Sequence, residues 1–279
     1  MPFAPRVILY GRPEDGRFGA LAQGCAAAGA EARWSAGKYF TAADVRGDAS
    51  AVVVNGLGVE GRRIADAYAP FGIPVWVVEF PRLRDEPDAV GLLKDDLQWL
   101  PDAPNGRAVF DAGKVKRTPT EALVVLQKPH DAAHGMDAAQ MLAWARETVA
   151  LVKAETGLPV AVRPHPMGGL AWPDDDCGAD RVSTPEAESI REALAQAVVV
   201  VTYNSTVGWD GIVAGVPVVA LARASYAPYA TALAAKPKAL SAASRAEALA
   251  LAASTQWTIN ELRDGQAVRA MLASPSREG

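Results

Sequence analysis

Short apolar runs rich in Val alternate along the chain with longer segments whose apolar residues recur at helical spacing, the pattern of βαβ units around a mostly parallel sheet. The spacing predicts strands over Arg6–Tyr10, Ala51–Asn55 and Ile73–Phe80, with helices over Phe18–Ala28 and Gly61–Ala69, the second stopped by Pro70. From Arg82 to Thr120 the periodicity dissolves into Pro87, Pro101, Pro104, Asn105-Gly106 and Pro119, which predicts a linker. A second series follows. Strands are expected over Ala122–Gln127, Val160–Arg163, Ala197–Thr202 and Pro217–Leu221. Asp137–Glu155 reads as a helix with Leu142, Ala145, Val149 and Val152 on one face, stopped by Gly157. Ser183-Thr184-Pro185-Glu186 announces a helix over Pro185–Gln196, and Ser205–Ala214 reads as another, ended by Gly215. Arg245–Ala253 and a final helix opened by the capping box Thr258-Ile259-Asn260-Glu261 complete the pattern. The simplest assembly is α/β. It has two Rossmann-like, doubly wound domains facing a central cleft, residues 1–118 and 119–225, then a helical tail over 226–279 returning to the first domain.

Composition removes whole classes. With 279 residues, 50% hydrophobic and 22% charged, the chain has material for such cores, which excludes disorder. Its uncharged apolar stretches, such as Ala193 to Val201, are far short of the eighteen or so residues that a membrane span needs. No secretory signal is visible near Met1–Arg6, so a cytoplasmic location and no membrane partner are expected. Cys25 and Cys177 have no CxxC spacing and read as ordinary thiols. A net charge of -4 gives no global basic field, so a nucleic-acid partner would have to be met by a local patch.

The candidate chemistry sits just past three strand ends in the second series. Strand Ala197–Thr202 runs into Tyr203-Asn204-Ser205-Thr206-Val207-Gly208-Trp209-Asp210, where hydroxyls, unpaired N–H groups and a helix dipole favour a phosphate. Gly208 would let a bulky group approach that helix, and Asp210 would reach ribose hydroxyls. Leu126-Gln127-Lys128-Pro129-His130-Asp131 and Arg163-Pro164-His165-Pro166 follow two other strands. Polar residues at three such ends converge on one crevice of a doubly wound sheet. His165, rigid between two prolines, suits a phosphate-contacting imidazole.

In this order LQxxxD, RPHP and NSTVGxxxxxxxGxPVVAL resemble the capsule-polysaccharide-biosynthesis type of glycosyltransferase, over roughly residues 121 to 229. The resemblance implies a GT-B shape, with the donor nucleotide on Gln127, Asp131, His165, Ser205, Thr206 and Gly208, joined by Arg163, Asn204 and Asp210 from the reading above. One departure is Asp210, where nucleotide-sugar enzymes of this shape often carry Glu. The donor would be a nucleotide-sugar, UDP-linked, with no further cofactor and no metal. Gln256-Trp257-Thr258-Ile259-Asn260-Glu261-Leu262-Arg263-Asp264-Gly265 is similar to the tail of short glycosyltransferase-like proteins of bacteriophages.

The first half is then expected to bind the acceptor. Gly11-Arg12-Pro13-Glu14-Asp15-Gly16 lacks both GxGxxG and a P-loop Lys-Ser/Thr, so it fails as a dinucleotide fingerprint. Glu14, Asp15 and Glu79 are the carboxylates best placed to face the cleft, and Asp15 or Glu79 would serve as base, beside His165 at the leaving group. Asp174-Asp175-Asp176 has no ligand geometry of its own and reads as a solvated loop. Trp144, at helical spacing, reads as core. Arg82, Arg84, Lys114, Lys116 and Arg117 are the local basic residues, and as one strip they would track phosphates. On the phage-like tail and the short length, the acceptor is expected to be a 5-hydroxymethylpyrimidine in DNA, which that strip would have to bind. The alternatives are a saccharide acceptor, a sugar-nucleotide epimerase of the same architecture, and a nucleotide-binding module without turnover.

Overall fold

The computed structural model describes residues 4–274 apart from 36, 38–39, 111–115 and 168–176. The chain divides into two compact units, one formed by residues up to Asn105 together with those from Ala252 onward, the other by Gly106–Leu251.

In the first unit β1 (Arg6–Tyr10), α1 (Gly16–Ala27), β2 (Glu31–Trp34), β3 (Ala51–Asn55), α2 (Val59–Tyr68), β4 (Val75–Glu79) and β5 (Ala89–Lys94) follow in order. In the second come β6 (Glu121–Val125), α3 (Ala138–Thr156), β7 (Val160–Arg163), β8 (Arg181–Val182), α4 (Ile190–Gln196), β9 (Ala197–Thr202), α5 (Val207–Ala214), β10 (Val218–Ala220) and most of α6 (Ala242–Ala253). The chain then returns to the first unit with β11 (Gln256–Thr258), α7 (Ile259–Arg263) and α8 (Gln266–Ala273).

The first sheet has the order β11-β5-β4-β3-β1-β2. Its strands run parallel from β4 to β2, while β5 lies antiparallel to both β4 and β11. Because strand side chains alternate, Val7, Leu9, Val53 and Val78 enter one buried cluster, and Ile8, Tyr10, Val52 and Val77 enter another. A sheet covered on both faces needs apolar residues at every position, which is why these strands read as continuous runs. The second sheet, β10-β9-β6-β7-β8, is parallel throughout, with Val124, Val162 and Val201 on one face and Leu123, Ala161 and Val200 on the other.

The expected linker over 82–120 is corrected. Residues 82–105 belong to the first unit, and β5 is an inner strand of its sheet. Gln256, fully buried on β11, accepts from Leu83 N–H at 2.8 Å and donates to the Leu83 carbonyl at 3.2 Å, so the tail stitches this segment down. The tail also fills the core: Trp257, Leu262, Val268 and Met271 join the cluster of Leu9, Phe18 and Leu21. Gly24 makes this possible, since a Cβ there would overlap the Leu262 carbonyl where α1 meets α7. The helix expected from Pro185 begins instead at Ile190. Ser189 accepts from Glu192 N–H at 3.2 Å, and the Glu192 carboxylate accepts from Ser189 N–H at 2.8 Å. The earlier Ser183 is buried, its hydroxyl donating to Glu188 at 2.5 Å. Among the described residues no helix is long and apolar enough to cross a membrane.

Candidate functional site

Both units have a topological switch point, where successive strands leave to opposite sides of the first one. It lies between β1 and β3 in the first unit and between β6 and β9 in the second. Ligands of open α/β sheets bind beyond the strands' carboxyl ends at such points.

In the second unit the register sets the site. Val125 pairs with Arg163 of β7 on one side and with Thr202 of β9 on the other, so these three residues form one row across the sheet. Gln127, His165 and Asn204 each stand two residues beyond that row. The chain is tied across the switch point: Asn204 N–H donates to Gln127 Oε1 at 3.1 Å. That bond fixes the amide orientation, leaving Gln127 Nε2 as the outward donor. His165 Nδ1 accepts from Met167 N–H at 3.1 Å, which places the proton of the neutral ring on Nε2. Two side-chain donors therefore stand at adjacent strand ends. Asn204 Nδ2 donates to the Ala133 carbonyl at 3.0 Å, while its Oδ1 is enclosed without a protein partner.

The start of α5 departs from expectation. Ser205 N–H donates to Thr202 Oγ1 at 3.1 Å, Val207 N–H to Ser205 Oγ at 3.3 Å, Gly208 N–H to the Ser205 carbonyl at 3.0 Å, and Trp209 N–H to the Thr206 carbonyl at 2.9 Å. The N–H groups that were to be unpaired are spent locally, so the dipole and the exposed Thr206 are what this terminus offers an anion. Gly208 is also corrected. A Cβ there would fall inside the ring of buried Tyr226, so the bulky group this glycine admits is the protein's own. Asp210 is half-buried in the first turn of α5.

Two further residues named for the donor are engaged in the protein. Arg163, 6% exposed, donates from Nη1 to Ser183 Oγ at 2.7 Å and from Nη2 to the Glu188 carbonyl at 2.9 Å. Glu188 in turn pairs with Arg181, which also binds Glu121, so a part-buried ionic network holds the loop after β8 to Arg163. Asp131 accepts from Ala133 N–H at 2.8 Å and turns the loop that follows β6. His134, which the sequence reading passed over, closes the same loop. Its Nδ1 accepts from Met136 N–H at 3.0 Å and its Nε2 lies 3.0 Å from the Lys128 carbonyl. Burial holds its pKa below the ordinary value. Its ring meets Tyr203 edge-on at 6.2 Å, and Trp144, packed on the core as expected, also meets Tyr203 edge-on at 5.9 Å.

In the first unit a cavity of about 590 Å³ lies at the β1/β3 switch point. Asp15 lines it as the N-cap of α1, accepting from Arg17 N–H at 2.9 Å and from the Arg17 guanidinium at 3.0 and 2.7 Å. That guanidinium holds the carboxyl below the usual range, which makes Asp15 a weak base. Arg17 Nη2 also reaches Asn55 Oδ1 at 3.4 Å, and Glu79, at the end of β4, accepts from Phe80 N–H at 3.0 Å. Arg17 and Asn55 were not expected here. The signal was available, since Asn55 ends a predicted strand beside Gly56.

The basic strip is corrected for two of its members. Arg82 is 3% exposed and donates to the Trp99 carbonyl at 2.5 Å and the Leu97 carbonyl at 3.3 Å. Arg117 donates to the carbonyls of Gly215 and Ala197 at 2.8 and 2.6 Å, at the amino end of β9, the end opposite that of Gln127 and Asn204. Both guanidiniums are engaged with backbone carbonyls. Arg84 and Lys116 are exposed; Lys114 and the Asp174-Asp175-Asp176 run lie outside the described residues.

No family model and no curated protein matches the chain. Among solved structures it is similar to the Thermosulfurimonas dismutans KpsC β-Kdo 2,4-transferase, with a TM-score of 0.55 over 98% of this chain and 99% of that one, at 13% identity. The KpsC β-Kdo 2,7-transferase of the same organism gives 0.55 over 95% and 99%, also at 13% identity. At that identity the likeness is one of fold. The chain has the α/β, GT-B-like fold of these proteins, with two parallel-rich sheets.

Proposed function

We propose that the chain is a glycosyltransferase that moves a sugar from a nucleotide-sugar, UDP-linked, to a hydroxyl of a saccharide. The observation that carries this reading is the row Arg163–Val125–Thr202 with Gln127, His165 and Asn204 two residues beyond it. The fold, shared with proteins named as sugar transferases, agrees with it. In this reading Gln127 Nε2 and His165 Nε2 donate to the diphosphate, and the α5 dipole and Thr206 favour its charge. The acceptor oxygen attacks the anomeric carbon, the bond from that carbon to the diphosphate oxygen breaks, and the acceptor proton passes to a carboxylate. Asp15 and Glu79 are the carboxylates proposed for that task, and Arg17 and the α1 cap already hold Asp15. The leaving diphosphate is met without a metal, and the location is cytoplasmic. A DNA acceptor takes second place because Arg82 and Arg117 face carbonyls inside the protein.

The test incubates the protein with UDP-, GDP- and CMP-sugars on neutral and acidic saccharides and on hydroxymethylated DNA, with and without EDTA. Nucleotide release and acceptor mass are read together. Sugar added to a saccharide, surviving chelation, is the expected result. Binding without release would make the chain a nucleotide-binding module, an altered donor sugar would make it an epimerase, and a modified base would restore DNA; each overturns the proposal.

A further inference from the structure

The cavity of the first unit has walls of a kind that select among acceptors. Val54 and Ile64 give it a buried apolar floor, and Pro13 an exposed apolar rim. Among the described residues, around them stand one guanidinium, Arg12, two carboxylates, Asp15 and Glu60, and the exposed amide of Asn55. The guanidinium of Arg17, nearby, is bound to Asp15. Asn55 Oδ1 is turned toward Arg17, which orients its Nδ2 away from that contact as a donor.

From this wall we infer that the cavity is a binding site for an uncharged sugar unit. The inference rests on the glycosyltransferase reading and gives its acceptor a chemical class. A hydroxyl donates and accepts at once, so it can use an acceptor-only carboxylate and a donor-only guanidinium or amide side by side. A phosphate or sugar carboxylate can use donors alone and, with Asp15 neutralised by Arg17, would meet Glu60 as a like charge, which disfavours it. A nucleobase would want an open aromatic face. The aromatic ring among the described residues of this wall, Tyr10, is 4% exposed and packed edge-on against Phe40 and Tyr68, and its hydroxyl lies 3.0 Å from the Tyr68 hydroxyl. The volume of about 590 Å³ lies in the range of small-molecule pockets and exceeds what one sugar ring fills.

Saturation-transfer NMR and calorimetry on the full chain test this with the methyl glycosides of glucose, galactose and mannose, with glucuronic and galacturonic acids, and with UDP. At least one neutral glycoside should bind, and its acid counterpart should bind at least about tenfold more weakly, the effect of one like-charge contact of about 1.4 kcal/mol. Asn55→Ala and Glu60→Gln, both at exposed positions, should each weaken the neutral sugar by about three- to tenfold, one hydrogen bond's worth. UDP binding should be unchanged in both. Acid sugars or UDP lodging in this cavity as tightly as neutral ones, no sugar binding at all, or Asn55→Ala without effect would each overturn the inference. Failure of UDP to bind the wild-type protein would count against the nucleotide-sugar reading, whatever the sugars do.

Discussion

Gln127 is where the donor reading is most exposed to test, because two substitutions separate its two ends. Its Oε1 accepts from Asn204 N–H, and the residue is 7% exposed. Gln127→Ala removes that acceptor and leaves a buried N–H without a partner, at a cost of about 1–3 kcal/mol. For a unit of this size each kcal/mol lowers Tm by about 2–4 °C, so a drop of roughly 2–12 °C is expected. Gln127→Glu keeps an oxygen for Asn204, and stability should change little. It replaces the outward Nε2 donor by a carboxylate oxygen. At about 5 Å from one phosphate charge and an effective dielectric constant of about 20, the repulsion is about 3 kcal/mol, and the lost hydrogen bond adds about 1 kcal/mol. Allowing for screening, UDP should bind at least about 30-fold more weakly, about 2 kcal/mol. The Ala variant, which loses only the donor, should weaken UDP about three- to tenfold. Thermal denaturation and UDP calorimetry on the three proteins give both readings. A folded Gln127→Glu protein that binds UDP within about threefold of the parent, well inside one hydrogen bond's worth, would refute the assignment.

His165→Ala should lower turnover by about 100-fold, the scale of one preorganised donor, with Tm nearly unchanged; a loss below about threefold in the same transfer assay would reduce His165 to a turn residue. Gly208→Ala should cost about 1–3 kcal/mol in urea denaturation because its Cβ meets the ring of Tyr226, and a stable variant with weakened UDP binding would return Gly208 to the donor site. His134 is held neutral by burial, with a folded pKa below its ordinary 6.5. Its contribution is therefore present above pH 6.5 and lost as pH falls through the folded value, so Tm should drop as pH falls below about 6.5 in the parent and less in His134→Gln. Arg82→Met should alter Tm and leave retention on hydroxymethylated duplex DNA at low salt unchanged; a lower salt slope in that variant would put Arg82 back on the surface.

The parts of the fold legible in the sequence are those whose burial is complete on both faces. Arg6–Tyr10, Ala51–Asn55, Val160–Arg163 and Ala197–Thr202 are strands with the bounds the apolar runs predict. The strands that went unread lack that mark. Glu31–Trp34 lies at the sheet edge with most of its residues exposed, and Arg181–Val182 is two residues long. Ala89–Lys94 is buried at four of six positions, yet Gly91 interrupts it and Asp95-Asp96 follow at once, so composition hides it. Its place is set by Gln256, far along the chain, and no local pattern carries that information.

The same distinction divides the site. Gln127, His165 and Asn204 could be named from the sequence because their spacing from a strand end is a local property, and the register then brings three local properties into one row. Whether a polar group is available to a ligand depends on what the rest of the chain does with it. Arg163, Arg82 and Arg117 are committed to carbonyls or to a buried hydroxyl, and Gly208 to a ring eighteen residues on. The start of α5 is the clearest case. Ser205 and Thr202 cap the very N–H groups that a motif reading offers to a phosphate. In the donor reading, discrimination then has to come from side-chain donors on the neighbouring strands, whose positions the Asn204–Gln127 bond fixes across the switch point. A variant that lengthens the turn after β6 by one residue, keeping Gln127 but moving it off its place two residues past the row, should therefore lose UDP affinity as fully as Gln127→Ala. If such a variant folds and binds UDP like the parent, the register is not what builds the site.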